Sequence, residues 1–377
     1  MLSYWEKKSF FEDIDIAVIG SGIVGLNAAI RLKELDKNFR VVVIERGFLP
    51  YGASTRNAGF ACFGSITELL DDLENSSENE VFSLVERRFK GLEKLRSRVG
   101  DKALRYEEHG GFEIFKADEK AIFEECSERL DYFNQNVFSI TKQQNTYRVL
   151  DKNKIQSFGF QGITNVIHNI AEGQIDTGEM MKTLLAIAQN KGIDIINGLD
   201  LKSIETQNDE VLLHAENWFF TAKKILVCTN GFARQLMPEL EVVPARNQVI
   251  VTEPIENLHL KGCFHYDRGY FYFRNIDNRI LLGGGRNLDY ETESTSQFGT
   301  TSLIQNALKE LLETVILPKQ KVEIDTTWSG ILGLGNIKKP IIKMINPRVG
   351  VAVRMGGMGV AIGSLVGGES AEMIFNQ

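Results

Sequence analysis

The N-terminal part of the sequence contains a glycine motif whose residue types and spacing suit the binding of a nucleotide pyrophosphate. An apolar stretch is followed by Gly20-Ser21-Gly22-Ile23-Val24-Gly25, and a second apolar stretch, Val41 to Ile44, ends at Glu45. The first glycine permits a tight turn, the second lets the backbone approach a pyrophosphate, and the third lets a helix pack on the strand. A glutamate at this spacing can accept hydrogen bonds from a ribose. The sequence therefore predicts a nucleotide-cofactor site here.

Metal and nucleophilic chemistry have weaker support. The four cysteines are widely spaced, without a CxxC pair or a nearby histidine cluster: Cys62, Cys126, Cys228 and Cys263. This spacing indicates neither a zinc site nor a disulfide framework and is typical of buried thiols in a reducing compartment. Four histidines are scattered and are interpreted as structural or surface residues: His168, His214, His259 and His265. His109, beside Gly110-Gly111, is a slightly better candidate for a pocket residue.

Composition limits the class of protein. The chain has 377 residues, 43% of them hydrophobic, and a formal net charge of −7. This length allows two domains with a substantial core, and the acidic balance argues against nucleic acid as a partner. The N-terminus lacks the apolar region of a signal peptide, and no run of about 18 apolar residues suggests a transmembrane segment. We expect a cytoplasmic protein that binds small molecules; a homo-oligomer is left open.

The elements that must position the glycine motif can be placed by hydrophobic periodicity. A strand–helix–strand unit is predicted over residues 13–45, followed by a glycine-rich loop at 52–59 and a charged helix over 68–99. A strand at 110–115 and a helix ending near 133 suggest a separate middle module. Later segments again have the helix and strand patterns of the first unit. They are a helix at 177–191, a strand at 192–196, a strand ending at Cys228-Thr229-Asn230-Gly231, a strand at 349–353 and a final helix to 374.

This pattern predicts an α/β protein, α+β overall, in which a Rossmann-like domain is interleaved with an antiparallel-sheet domain. We assign residues 12–75, 160–235 and 335–377 to the nucleotide-binding domain. Residues 76–159 and 236–334 are assigned to a substrate-binding domain, because residues 242–285 are rich in strands and aromatic side chains.

Taken in order, the motifs resemble those of flavin-dependent amine and amino-acid oxidoreductases of the D-amino-acid oxidase superfamily. The resemblance covers nearly the whole chain and rests on the first glycine motif, residues 52–59, residues 228–231, residues 272–285 and Gly356-Gly357-Met358-Gly359-Val360. Trp328-Ser329-Gly330-Ile331-Leu332-Gly333 with Pro340 looks most like the γ-glutamylputrescine oxidase branch. The resemblance implies FAD as cofactor, with the loop at 52–59 along the flavin and the helix N-terminus near 356–359 at its pyrimidine edge.

The resemblance also implies which residues contact FAD. These are Gly20, Ser21, Gly22, Ile23, Val24, Gly25, Glu45, Arg46, Gly52, Ala53, Ser54, Arg56, Asn57, Ala58, Gly59, Leu201, Thr229, Asn230, Gly231, Gly330, Arg354, Gly356, Gly357, Met358, Gly359 and Val360. Within this set, Arg56 and Asn57 can donate hydrogen bonds to phosphate or ring oxygens.

Two departures from related families refine this expectation. Some members attach FAD through a histidine, which would fall near Asn57, or through a cysteine near Ser329 or Gly330; neither residue is present, so FAD should be held without a covalent bond. Amino-acid oxidases place a carboxylate-binding arginine just after Gly330, where Leu332 and Gly333 stand instead. A simple amino acid is therefore less favoured as substrate, although Arg274 is an alternative clamp.

Candidate substrate-pocket residues are Tyr270, Tyr272, Arg274 and Trp328. The first three alternate on one face of a predicted strand, with Phe271 and Phe273 on the other, and which face lines a pocket is left open. The leading hypothesis is an FAD-dependent oxidoreductase that oxidises an amine to an imine by hydride transfer to flavin N5, with oxygen or another electron acceptor. The alternatives are an amino-acid or 2-hydroxy-acid oxidase or dehydrogenase, a non-catalytic flavin-binding subunit and an NAD(P)-dependent dehydrogenase.

Overall fold

The computed structural model describes residues 2–377. Within this range the strands, numbered β1 to β19 in chain order, are Ile16–Ile19, Val41–Glu45, Phe60–Ala61, Gly111–Lys116, Tyr147–Val149, Ile163–Asn169, Gly173–Gln174, Asp194–Asn197, Ser203–Thr206, Val211–His214, Phe219–Ala222, Lys224–Val227, Val243–Thr252, Cys263–Tyr266, Phe271–Ile276, Arg279–Gly284, Ile324–Leu334, Ile341–Asn346 and Val349–Val353. The α-helices, α1 to α12, are Tyr4–Glu6, Ile23–Leu35, Ile66–Asn75, Glu78–Val99, Asp101–Leu104, Lys120–Glu128, Leu130–Thr141, Lys152–Ser157, Thr177–Asn190, Tyr290–Glu293, Ser302–Leu311 and Gly359–Phe375.

The first large sheet has the strand order β18-β19-β12-β1-β2-β8. Its strands are parallel except for β18, which runs antiparallel to β19. Ile16 and Val18 of β1 pack in a core with helices α2, α9 and α12, whereas Ala17 and Ile19 pack on the other side with β10 and β11. Because both faces are covered, the strands need apolar side chains at successive positions, which explains the continuous apolar runs in the sequence.

The second large sheet has the strand order β17-β13-β16-β15-β14-β4-β6-β5. Its pairs are antiparallel except for β14 with β4. Phe271 and Phe273 of β15 lie in the core that includes α11, whereas Tyr272 packs on the opposite face with Val249 and Leu281. The two faces of β15 therefore differ as the period-two pattern predicts.

Helices α2 and α12 lie in direct contact beneath the first sheet, and glycines of α12 make this approach possible. A Cβ atom at Gly367 would lie 2.6 Å from the Val24 carbonyl oxygen and 2.7 Å from the Asn27 Cβ atom. A Cβ atom at Gly363 would lie 2.8 Å from a methyl carbon of Ile23. All three distances are too short for a side-chain carbon, so the backbones can pack this closely only with glycine at both positions. Each helix follows a strand of the parallel part of the sheet, β1 or β19, so the two N-termini lie at the same end of that sheet.

The predicted fold class is confirmed, but some element boundaries differ. The helix predicted over 68–99 is two helices, because Ser77 and Glu80 form a capping box that begins α4. The helix predicted to end near 133 is likewise two helices, α6 and α7, which meet at Arg129. Secondary structure also departs from the predicted domain division: β6 belongs to the second sheet although it lies within residues 160–235, and α4 packs on α12 although it lies within residues 76–159. Elsewhere the division stays a prediction.

Membrane association through a spanning helix has no support in the described part of the chain. Over residues 2–377, no helix combines the length and the apolar character needed to cross a bilayer.

Replacing Gly367 tests the contact between α2 and α12. We expect Gly367→Ala to lower the free energy of unfolding by about 1–3 kcal/mol, because the added methyl group forces the two backbones apart. Gly368→Ala is the matched control: its Cβ atom would meet only the flexible end of the Lys94 side chain. Urea unfolding of both variants measures the difference. Equal stability of the two variants would contradict a tight contact at Gly367.

Candidate active site

A cleft of about 1200 Å³ opens at the carboxyl ends of β1, β2 and β12. In open parallel sheets this is where ligands bind. The predicted cofactor residues that line it are Gly20, Gly22, Ile23, Val24, Glu45, Arg46, Gly52, Ala53, Ser54, Asn57, Leu201, Thr229, Asn230, Gly357, Gly359 and Val360. The structure thus brings together segments that are distant in the chain.

The glycine turn between β1 and α2 is tightly packed against neighbouring backbone atoms. Gly20 has a φ angle of +105°, and a Cβ atom there would lie 2.9 Å from the Cys228 carbonyl oxygen. A Cβ atom at Gly25 would collide with the Gly20 carbonyl oxygen, so only glycine lets the helix begin this close to the strand. The Ser54 Oγ atom accepts a hydrogen bond of 2.9 Å from the Ile23 amide in the first turn of α2. The turn and the loop after β2 therefore form one unit.

Glu45 is held in a fixed orientation at the end of β2. One carboxylate oxygen accepts hydrogen bonds from the Ser21 amide at 3.1 Å and the Ser21 Oγ atom at 2.8 Å. The other accepts a hydrogen bond of 3.0 Å from the Gly47 amide. Ser21 itself is buried and does not line the cleft. Because a carboxylate has about four acceptor positions, Glu45 retains capacity for ligand hydroxyl groups.

Arg56 and Asn57 bind protein groups in this structure. The Asn57 amide nitrogen donates to the carbonyl oxygens of Ala53 and Ser54, and its oxygen accepts from the Gly59 amide and the Thr177 hydroxyl. The Arg56 guanidinium donates to the Ser329 carbonyl oxygen at 3.1 Å and lies over the rings of Tyr51 and Phe298. Both side chains thus order the loop at 52–59. Their predicted donation to the cofactor stays a prediction.

Helix α12 begins where the cleft meets a second cavity, which adjoins the cleft and shares part of its wall. Gly356 and Gly357 have φ angles of +60° and +84°, and the helix starts at Gly359, later than the sequence motif suggested. The first amides of a helix have no partner within it, so those of the first turn can bind an electron-rich group. Gly357 and Val360 line both the cleft and the second cavity.

Five predicted cofactor residues line neither space: Ser21, Gly25, Gly59, Gly231 and Arg354. Arg354 is buried and donates to the carbonyl oxygens of Lys339 at 3.0 Å and Glu241 at 3.2 Å. A Cβ atom at Gly231 would collide with the Leu332 carbonyl oxygen. These residues shape the backbone around the cleft. Sequence reasoning also missed several residues of its wall, among them Phe232, whose ring lies 3.8 Å from the Arg46 guanidinium, and Gln235, which accepts a hydrogen bond from Arg46.

The cleft fits the dinucleotide that the glycine motif predicts. Within residues 2–377, the buried Thr229 Oγ1 atom has no hydrogen-bond partner, and Thr229 lines the cleft. A buried hydroxyl without a partner is costly, so a ligand that binds it would remove that cost. The polar groups of the cleft include those expected for a ribose and a pyrophosphate: Glu45 and the amides at the start of α2.

The second cavity, of about 1880 Å³, adjoins the cleft. The two share Ala53, Asn57, Leu332, Gly357 and Val360 in their walls. Five further predicted cofactor residues line only this second cavity: Arg56, Ala58, Gly330, Gly356 and Met358. A ligand in the cleft can therefore extend to the cavity without leaving the protein.

Tyr270 and Tyr272 line this cavity. The Tyr272 ring packs edge-on against Phe60, and burial raises its pKa to about 12, so the hydroxyl stays neutral. Tyr270 accepts a hydrogen bond of 2.6 Å from the Tyr290 hydroxyl. One side of the cavity is therefore aromatic and carries tyrosine hydroxyl groups.

The other predicted pocket residues lie elsewhere. Arg274 is 3% exposed and lines neither the cleft nor the cavity, and its burial lowers its pKa. The Trp328 indole donates a hydrogen bond of 3.0 Å to the Arg56 carbonyl oxygen and also lines neither space. His109 lies outside both, 3.4 Å from the Glu107 carboxylate.

A charged group in the cavity wall was missed by sequence reasoning. Glu68 lies 3.3 Å from the buried Arg88 guanidinium, and Lys338 contacts Asp72 and lies 3.8 Å from Asp71. Burial acts to raise the pKa of Glu68, but Arg88 and Lys338 outweigh it and lower that pKa. Burial acts to lower the pKa of Lys338, but Glu68 and Asp72 outweigh it and raise that pKa. The only local signal was the spacing of the acids along α3, since Lys338 is remote in sequence.

Comparison with known proteins identifies relatives over almost the whole chain. The family model described as "DAO: FAD dependent oxidoreductase" matches residues 15–373. A probable oxidoreductase OrdL of Haemophilus influenzae is 21% identical, the match covering 96% of this chain and 83% of the relative. The γ-glutamylputrescine oxidoreductase of Escherichia coli is 25% identical over the same shares of the two chains. The resemblance found in the sequence is thereby confirmed.

Solved structures agree on the fold. L-proline dehydrogenase from P. horikoshii superposes with a TM-score of 0.77 at 17% identity, covering 97% of this chain and 94% of the other. Glycine oxidase from Bacillus cereus superposes with a TM-score of 0.74 at 18% identity, covering 97% and 98%. At these identities the likeness establishes the fold.

Replacing Glu45 tests the cofactor cleft. Both carboxylate oxygens of Glu45 accept hydrogen bonds. In Glu45→Gln an NH₂ donor replaces one acceptor and then faces another donor, and the negative charge is lost. We expect the affinity for the dinucleotide to fall roughly 10- to 100-fold, the value of one or two charged hydrogen bonds.

Asp200→Asn is the matched control, since Asp200 lines the same cleft but pairs only with the exposed Lys202. Fluorescence titration of the apoprotein with FAD measures both variants. An unchanged dissociation constant for Glu45→Gln would show that the ribose binds elsewhere.

Proposed function

The chain belongs to the DAO family of FAD-dependent oxidoreductases, and from this premise we propose that it oxidises the C–N bond of an amine to an imine. Water then hydrolyses the imine to a carbonyl compound. The proposal is supported by a cavity that adjoins the cofactor cleft, has an aromatic wall and lacks an arginine at the position where amino-acid oxidases of this superfamily bind a carboxylate.

FAD fits the cleft, and residues already described would hold it. Glu45 would accept hydrogen bonds from the ribose, and the amides at the start of α2 would bind the pyrophosphate. When bound, FAD supplies a flavin whose N5 atom accepts a hydride. Asn57 and Ser329 stand where relatives carry attachment residues, and neither can form that bond, so we propose that FAD is held without a covalent link.

The N-terminus of α12 has an electrostatic role in this proposal. Its unpartnered amides and the helix dipole favour negative charge at the junction of cleft and cavity. A fixed set of donors at the place where charge develops needs no rearrangement during the reaction and so stabilises the transition state. No charged side chain is required for this effect.

The observation that carries the substrate class is the identity of Leu332. It lines both the cleft and the cavity, at the position just after Gly330 where the superfamily's amino-acid oxidases have an arginine. The alternative clamp, Arg274, is buried outside the cavity. Tyr270, Tyr272 and Asn247 instead offer neutral polar groups beside apolar surface. Aromatic and neutral polar groups of this kind suit an amine in its neutral, reactive form.

One observation favours a second candidate function. Arg268 and Arg286 both line the cavity, and across the described residues 2–377 neither forms an ion pair. Arg286 lies 4.8 Å from the Tyr290 ring centre. Free guanidinium groups can bind a carboxylate, so an amino acid or 2-hydroxy acid is the second candidate as substrate.

Anaerobic reduction of the flavin tests the leading proposal. We expect primary or secondary amines without a carboxylate to bleach the visible flavin absorbance, because these substrates need no anion clamp at residue 332. The measurement is stopped-flow absorbance with a panel of amines and the matching amino acids. Bleaching by amino acids or hydroxy acids alone would replace the leading proposal with the second candidate.

Replacing the two cavity arginines, Arg268 and Arg286, distinguishes the two candidate substrate classes. For an amine substrate, Arg268→Met and Arg286→Met should change KM by less than about threefold. For a carboxylate substrate, loss of a charged hydrogen bond should raise KM roughly 10- to 100-fold. Arg279→Met is the control, because Arg279 pairs with Asp325 outside the cavity. Steady-state kinetics with the best substrate of each class gives the answer.

A further inference from the structure

A cluster of three potential metal ligands lies in the wall of the second cavity, apart from the residues assigned to FAD. One ligand atom from each of Cys62, Glu172 and His265 lies within 4.8 Å of the other two. Cys62 and His265 line the cavity, and Glu172 is buried behind them. Sequence spacing gave no sign of this group, because the three residues are far apart in the chain.

Strand pairing brings the three residues together. β3 pairs with β7 through Ala61 and Gly173, which places Cys62 beside Glu172. His265 lies on β14, two residues after Cys263, and residues at this spacing share one face of a strand. The thiols of Cys62 and Cys263 both donate to the Gly173 carbonyl oxygen, at 3.9 Å and 3.3 Å. Because both thiols bind the same carbonyl oxygen, the face of β14 that carries His265 packs against the β3–β7 pair.

The polar groups of the cluster lack partners of opposite charge. Within the described range 2–377, the His265 Nε2 atom is buried without a hydrogen-bond partner, and no ion pair forms at Glu172. A buried polar atom without a partner is costly, so a cation bound at His265 Nε2 would remove that cost.

We propose that Cys62, Glu172 and His265 bind one thiophilic divalent cation of the Zn²⁺ class, with a fourth coordination position open to the cavity. Zinc accepts thiolate, imidazole and carboxylate ligands, whereas Mg²⁺ and Ca²⁺ prefer oxygen alone. A thiolate and a carboxylate balance the charge of the divalent ion, which a buried site requires. The proposal does not depend on the amine reaction.

The geometry needs only small side-chain movements. Zinc–ligand distances of about 2.0–2.3 Å place tetrahedral ligand atoms roughly 3.5 Å apart, against separations of up to 4.8 Å in the cluster. Glu172 is already oriented, because one carboxylate oxygen accepts hydrogen bonds from the amides of Phe63 at 2.8 Å and Gly64 at 3.1 Å. Such outer contacts are what orient metal ligands in proteins. Three protein ligands with one open position is the arrangement of reactive zinc sites.

Direct metal analysis tests the site. The untagged, FAD-loaded protein is treated with a chelator, dialysed against ZnCl₂ or MgCl₂, and analysed for metal per chain. We expect about one Zn²⁺ per chain and no retained Mg²⁺. Glu172→Gln and His265→Asn should weaken zinc binding roughly 100-fold or more, beyond the loss typical for residues that only support a ligand. Cys126→Ser is the control, since Cys126 is buried in a different core.

Flavin absorbance per chain and thermal unfolding verify that the variants are folded. If they are not, X-ray absorption of the zinc-loaded wild type gives an independent answer, with one sulfur ligand expected at about 2.3 Å. Absence of bound zinc in the wild type, zinc retained equally by all variants, or a zinc shell without sulfur would each overturn the proposal.

Discussion

The direct contact between helices α2 and α12 is the constraint on which the rest of the site depends. Gly363 and Gly367 remove the side chains that would keep the two backbones apart. The helices belong to opposite ends of the chain, and each follows one of the parallel strands β1 and β19, so both N-termini lie at the carboxyl ends of these strands. Helix N-termini favour negative charge, so we propose that an anionic dinucleotide binds at this end of the sheet, between the glycine turn at residues 20–25 and the start of α12.

The second sheet adds the cavity to this arrangement. One face of β15 carries Phe271 and Phe273 into a core, which leaves Tyr272 on the face that meets the loop at 52–59. That loop is held by Asn57 and Arg56, whose side chains bind protein groups on both sides of the cleft. The cleft and the cavity therefore share walls, and we propose that a substrate in the cavity meets the reactive end of FAD there.

Local sequence patterns predict much of the fold and the site. The other features depend on contacts between distant segments, which the sequence does not indicate. The glycine motif with Glu45, the apolar runs of the first sheet and the alternation at 271–274 follow from backbone geometry that sequence patterns indicate. Tyr270 was predicted on the face of Tyr272, but it precedes the strand and packs against the core of Phe271 and Phe273. Arg274 shares a strand face with Tyr272 yet lies under Gly59 and outside the cavity, because the loop at 52–59 covers that end of β15. Lys338 and Glu172 gave no signal, since each meets its partners only through tertiary packing.

The most direct measurement is a crystal structure of the FAD-loaded protein with a slowly reacting amine bound. We expect the ribose at Glu45, the pyrophosphate at the start of α2, the flavin ring at Gly357–Gly359 and the amine beside Tyr272. A flavin ring that ends away from the N-terminus of α12, or an amine bound outside the second cavity, would contradict it.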